Sequence, residues 1–224
     1  MPKDRRFSWQ DIKMVQKGRH FTSYINKPFE DALVFLIANY TSISADAVTV
    51  FTDLLAFISA YLMIIGYHVY SVGLMLAVMI LDGTDGKLAR IRGKPTKIGK
   101  LEHSLDFLYE QVWYASLVYA AYTSASDAKI LIAGLLWLAV DGYVRHIYQL
   151  GWIVMGSPVK SWGDAGRIVT TIDGRRNVYI WYALLSYLLT KSFSISILLS
   201  LFHSSFTAVS YTLLSFKTFK KIRS

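Results

Sequence analysis

Four carboxylates stand close together in the stretch "LDGTDGKLARIRGKPTKIGKLEHSLD", residues 81–106: Asp82, Asp85, Glu102 and Asp106. Asp82, Asp85, Gly86 and Ala89 fall within one stripe of a helix turning 100° per residue, with Arg90 at its edge. Glu102 and Asp106 are four residues apart and share a face of the following helix. Clustered carboxylates repel one another and resist dehydration. Two readings of the spacing stay open. The acids could hold a hard divalent cation, for which all-oxygen ligands suit Mg²⁺, Mn²⁺ or Ca²⁺. The alternative is a polar rim paired to Arg92, Lys97 or Lys100. A carboxylate-bound Mg²⁺ works with phosphate substrates, where it neutralises charge on a transferred phosphoryl group.

The elements that must position these acids are apolar. Of 224 residues, 54% are hydrophobic and 17% charged, too apolar for an ordinary soluble domain. A membrane-spanning helix needs about 20 mostly apolar residues. Six candidates follow, over roughly 46–66, 68–90, 99–123, 129–152, 177–190 and 193–215, the fifth being short. The expected fold is an all-α integral membrane protein, a six-transmembrane-helix bundle. The expected organisation is an N-terminal segment over 1–43, the helical catalytic domain over 44–216 and a basic tail over 217–224. Phe7, Trp9, Ile12, Phe21, Phe29 and Leu36 interleave with charges in the first segment. That pattern suits amphipathic helices on the cytoplasmic surface, or a soluble arm packed on the domain. The first 30 residues show no charged n-region followed by an apolar h-region, so no cleavable signal peptide is expected. With no cysteine, disulfides and thiolate metal sites are excluded.

Charge placement sets the topology. The net charge is +9, and 21 of the 24 lysines and arginines fall in the N-terminal segment, the 87–100 turn, the 160–176 connection and the tail. Only Lys129 and Lys191 fall on the opposite side, and Arg145 lies within the fourth helix. Such asymmetry puts both termini and the acidic turn in the cytoplasm. A basic inner face facing anionic headgroups accounts for the charge without nucleic acid. Arg145 is expected to pair with Asp141 one turn away.

The run Asp82-x-x-Asp85-Gly86-x-x-Ala89-Arg90, eight residues, then Gly99 and two spaced acids resembles the signature of the CDP-alcohol phosphotransferases (CDP-alcohol phosphatidyltransferases), D-x2-D-G-x2-A-R-x8-G-x3-D-x3-D. The last part departs from it, because strict spacing would place His103 and Phe107 at the final acid positions. A one-residue deletion after Gly99 brings in Glu102 and Asp106. A three-residue insertion would use Asp106 and Glu110 instead, and requires the larger change.

The resemblance implies a membrane-embedded transfer of a substituted phosphate from a CDP-alcohol, such as a CDP-linked lipid, to an acceptor hydroxyl, with release of CMP. It implies Mg²⁺ or Mn²⁺, two ions, held by Asp82, Asp85, Glu102 and Asp106. Asp106 would also be the general base. Gly86 and Ala89 would make room for the nucleotide, beside Asp82, Arg90 and Gly99. The family's T-P-N-x-x-T entry to the first spanning helix corresponds to Ser44–Thr49, making Asp46 a nucleotide contact. Lys160, Arg167, Arg175 and Arg176 would receive a phosphorylated acceptor such as inositol phosphate or glycerol phosphate, or simply flank the membrane. His103 would pack or support the acids. A homodimer is what the family implies. Two other functions compete: a divergent, non-catalytic nucleotide-binding member, favoured by the altered acid spacing, and a small ion or solute transporter. The transporter would spread its acids through membrane depth, whereas these cluster at one edge.

Overall fold

The computed structural model describes residues 7–16, 20–94 and 96–220, and the side chains of Lys100 and Glu102 lie outside that description. Two compact halves divide the chain, residues 1–113 and 114–224, the boundary falling inside one helix. Among the described residues all regular structure is helical.

The first half holds α1 (Trp9–Met14), α2 (Phe21–Tyr40), α3 (Ala45–Ile64), α4 (His68–Ile91) and the first part of α5 (Gly99–Ala125). Caps fix several of the starts. Ser8 and Asp11 form a reciprocal capping box on α1, and Ser44 Oγ accepts the Ala47 amide at the head of α3. Arg92 closes the far end of α2: its Nη2 donates to the carbonyls of Ile37 at 2.8 Å and Thr41 at 2.9 Å. Carbonyls at a helix end need such donors. Arg92 is thereby directed to backbone oxygens, not to the acids of the motif. Ala45, Val48 and Leu88 form the buried contact between α3 and α4, with Ile37, Leu81 and Ala89 packed around them. At the other end of the pair, the Ser59 hydroxyl donates to the Ser71 carbonyl at 2.8 Å and the Ser71 hydroxyl to the Ser59 carbonyl at 2.7 Å.

α2 has its polarity reversed relative to a water-soluble helix. It buries Thr22, Asn26, Glu30, Asp31 and Val34. Its exposed side carries Phe21, Tyr24, Ile25, Phe29, Leu36 and Tyr40.

The second half holds the rest of α5, α6 (Ala128–Met155), a 3₁₀ turn (Val159–Ser161), α7 (Asp164–Ile172), α8 (Arg176–Thr190) and α9 (Ser194–Lys220). Trp137 is buried against Tyr114 and Tyr179, with ring centroids 4.6 and 5.2 Å away. Val144, Ile147, Val159, Tyr211 and Leu214 form a second cluster. The spacing-based pair on α6 is present, Arg145 Nε lying 4.0 Å from Asp141 Oδ2.

Helices occur at all six expected places, but among the described residues only α3, α4, α6 and α9 are long and apolar enough to cross a membrane by themselves. α8 has 15 residues, about 22 Å of helix against a hydrocarbon core of about 30 Å. α5 carries Glu102, Asp106, Glu110 and four tyrosines along its length. α7 was not expected. It is a nine-residue amphipathic helix, entered through Gly163 at φ 92°, a left-handed conformation suited to glycine.

Candidate active site

The motif occupies the last turns of α4 and the first turns of α5. A run of apolar residues, Val72 to Leu81, forms the body of α4, and the acids begin only where that run stops. Asp82 and Asp85 are one turn apart. Asp85 is 2% exposed. Its Oδ2 accepts a hydrogen bond from Thr49 Oγ1 on α3 at 2.5 Å, and its Oδ1 accepts from the Gly86 amide. A buried carboxylate needs such donors to remain charged. Thr49, the last residue of the run that resembles the family's entry sequence, therefore orients Asp85.

Asp46, expected as a nucleotide contact, also holds a turn of the chain. Its Oδ1 accepts the amides of Lys97 at 2.9 Å and Ile98 at 3.3 Å. The first turn of α3 thus anchors the turn that enters α5. Gly86 lies beneath the guanidinium of Arg90, and a Cβ there would stand 3.2 Å from Arg90 Nη1. Arg90 Nε in turn donates to the Val15 carbonyl at 2.9 Å. Ala89 packs in the α3–α4 contact, so its small size serves helix approach.

Asp106 sits on α5 with its side chain 16% exposed, and His103 Nδ1 lies 3.8 Å from its Oδ2. The His103 side chain is 80% exposed, so it does not pack in the interior. Glu110, one turn further, is buried. Gly99 begins α5, and the Glu102 side chain is outside the described residues.

The donor set suits a hard cation: it is all oxygen, with no thiol in the chain. The described residues bring Asp82 and Asp85 onto one helical turn, but no three carboxylate or imidazole groups among them converge into a ready-made cluster. The expected four-acid site includes Glu102, whose side chain lies outside the described residues. Both oxygens of Asp85 are turned to donors. Each carboxylate oxygen keeps a second lone pair, so an ion could still be accepted.

Sequence reasoning missed a buried ion cluster beside the motif. Lys87 Nζ lies 2.8 Å from Glu30 Oε2 and 2.7 Å from Asp31 Oδ1, while Lys27 Nζ takes the other Asp31 oxygen at 2.7 Å. Burial pushes the Glu30 carboxyl above its ordinary range, and the hydrogen bond and charge of Lys87 pull it back. The available signal was Lys27 and Asp31 at i and i+4, next to a second acid in an otherwise aromatic helix.

The basic residues of the 160–176 connection do not present four equivalent cations. Lys160 is exposed in the 3₁₀ turn. Arg167 pairs with Asp164 within its own helix, and both are exposed. Arg175 Nε donates to Asp173 Oδ1 at 2.8 Å and its Nη2 to the Thr170 carbonyl at 3.1 Å. Arg176 is buried in the first turn of α8.

Residues 42–213 match the family model of the CDP-alcohol phosphatidyltransferases. The chain belongs to that family. It is accordingly a transferase, and its four long apolar helices make it a multi-pass membrane protein. Two solved structures of phosphatidylinositol phosphate synthase (PgsA1) from Mycobacterium tuberculosis are similar to it. The one with CDP-DAG bound has a TM-score of 0.61 at 18% identity, over 86% of this chain and 94% of that one. The complex with manganese and citrate also has a TM-score of 0.61, at 17% identity, over 85% and 88%. At such identities the likeness establishes the fold. No curated protein sequence matches the chain.

Proposed function

We propose that this CDP-alcohol phosphatidyltransferase moves a phosphatidyl-type group from a CDP-linked lipid to the hydroxyl of a small polar acceptor, releasing CMP, in phospholipid synthesis. The observation that carries the reading is the single stripe of Asp82, Asp85, Gly86 and Ala89 on α4, with Asp85 held by Thr49. Membership of the family supports it, as does the bound CDP-DAG of the mycobacterial relative.

Asp82 and Asp85, with Glu102 and Asp106 from α5, would hold Mg²⁺ or Mn²⁺, two ions in the reading we favour. When bound, the metal supplies neutralisation of charge on the diphosphate. Asp106 takes the proton of the acceptor hydroxyl, for which a partly exposed carboxylate within hydrogen-bond reach is suited. His103, at 3.8 Å, helps hold that carboxylate. Arg90, tied through Nε to the Val15 carbonyl, is the guanidinium assigned to the diphosphate, whose geometry an Arg fork matches. Gly86, beneath Arg90, and Gly99 leave room for the nucleotide. Asp46 contributes by holding the 97–98 turn. An acceptor phosphate is assigned to Lys160, Arg167, Arg175 and Arg176, with Arg175 pre-oriented by Asp173.

The six helices α3, α4, α5, α6, α8 and α9 form the membrane bundle in this reading. α5 and α8, the one polar and the other short, are admitted because the family match runs through both. α2 lies in the interface with its aromatic side toward lipid. Both termini and the motif face the cytoplasm, following the lysine and arginine placement, and the family suggests a homodimer.

The test is CMP release by purified protein given CDP-diacylglycerol or soluble CDP-alcohols, Mg²⁺ or Mn²⁺, and a panel of polyol and polyol-phosphate acceptors. Release that depends on donor, acceptor and metal supports the proposal. Mn²⁺ and CDP binding without turnover on any acceptor would instead establish the non-catalytic reading. Nucleotide-independent cation uptake into sealed vesicles would favour a transporter.

A further inference from the structure

The end of α4 carries two stripes. Asp82, Asp85, Gly86 and Ala89 make one. Gly83, Lys87 and Arg90, at i, i+4 and i+7, make the other. Every member of the second stripe docks on the N-terminal segment. A Cβ at Gly83 would overlap the Glu30 carboxyl group. Lys87, 1% exposed, is clamped by Glu30 and Asp31. Arg90 Nε bonds the Val15 carbonyl at 2.9 Å.

The Lys87 clamp has the chemistry of a lock. Two adjacent acids on α2 meet one ammonium on α4, and Lys27 balances the remaining charge, giving two carboxylates and two ammonium groups. A buried ion pair adds little net stability over apolar packing of the same volume, but it permits only one geometry. Rotating α4 about its axis would pull a buried charge off its partner, which is strongly disfavoured. α2 buries its polar side against α4 while its aromatic side is exposed, and the clamp sits in that buried contact.

We infer that Lys87 is a positioning residue: with Glu30 and Asp31 it fixes the rotation of α4, and so sets where Asp82 and Asp85 point. The inference rests on the proposed metal role of those two aspartates. It gives α2 a part in the reaction without any contact with substrate.

The experiment measures Mn²⁺ affinity of the purified protein by the loss of the free-ion EPR signal, without nucleotide, together with the thermal midpoint. Lys87→Met should weaken Mn²⁺ binding by about tenfold or more, as loss of a residue that orients a ligand does. Lys87→Arg, which can still fork both acids, should stay within about threefold of the parent. Should Lys87→Met fail to give folded protein, Glu30→Gln removes one partner and leaves Asp31 to hold the charge. It should weaken Mn²⁺ binding and lower kcat with little change in acceptor KM. A folded Lys87→Met or Glu30→Gln protein with parental Mn²⁺ affinity overturns the inference and leaves the functional reading standing. A parent protein that binds no Mn²⁺ removes both.

Discussion

Thr49 Oγ1 stands 2.5 Å from Asp85 Oδ2 and donates to it, joining the first spanning helix to a buried acid of the motif. A hydrogen bond to a charged group contributes about 1.5–3 kcal/mol, and removing it leaves the carboxylate under-solvated. Thr49→Val, nearly the same shape, should therefore lower kcat/KM by about tenfold to a hundredfold. Thr49→Ser keeps the hydroxyl and should stay near parental. Equal activity of the Val and Ser variants in a CMP-release assay would show that the contact does not orient Asp85 for the reaction.

How much of this was readable in advance depends on the range of the interaction. Helix starts expected at 46, 68, 99, 129 and 177 lie within a residue of those observed, because each follows a local signal: a cap, a glycine or the onset of an apolar run. The acid pair on α4 was readable for the same reason, since its periodicity is local. The Lys87–Asp31 contact joins residues 56 apart, and no periodic pattern records it. The anchoring contacts of Asp46 were unreadable for the same reason, for its partners are amides 51 and 52 residues away. α9 runs on to Lys220, past the expected end at 215, because polar residues end a membrane span without ending a helix.

Those two amide contacts separate a charge role from an anchoring role for Asp46. Asp46→Asn keeps a carbonyl acceptor and should leave CDP affinity and turnover within about threefold of parental. Asp46→Ala removes the acceptor and should destabilise the fold by about 1 kcal/mol, with faster protease cleavage near residues 93–98. If Asn is as damaging to CDP affinity as Ala, measured by titration calorimetry, the carboxylate's charge acts on the nucleotide and the anchoring account fails.

Asp106 is assigned the proton transfer, a step typically worth about 10²–10⁴-fold in rate. Asp106→Asn should lose CMP release by that order while retaining CDP binding, because Asp82 and Asp85 remain on α4. His103→Ala should cost much less, given an exposed imidazole 3.8 Å away. Near-normal turnover by the Asn variant would move the base to another carboxylate, with Glu110 of the alternative alignment the first to test.

The reversed polarity of α2 gives a prediction about membrane depth. A helix that buries Glu30 and Asp31 while exposing Phe29 and Leu36 would be an aggregation hazard in water. At a bilayer surface the same face is satisfied by acyl chains, and burial there adds about 1.5–3 kcal/mol per large side chain. Because the chain has no cysteine, single cysteines at Tyr24, Phe29 and Leu36 can carry nitroxide labels without background. In reconstituted vesicles those labels should relax strongly with oxygen and weakly with a water-soluble nickel chelate. A label at Lys97, in the exposed turn before α5, should show the opposite. Nickel-accessible labels along α2 would mean that this face meets water or another protein, and the interfacial placement of α2 would have to be abandoned, although its ion pairs to α4 would stand.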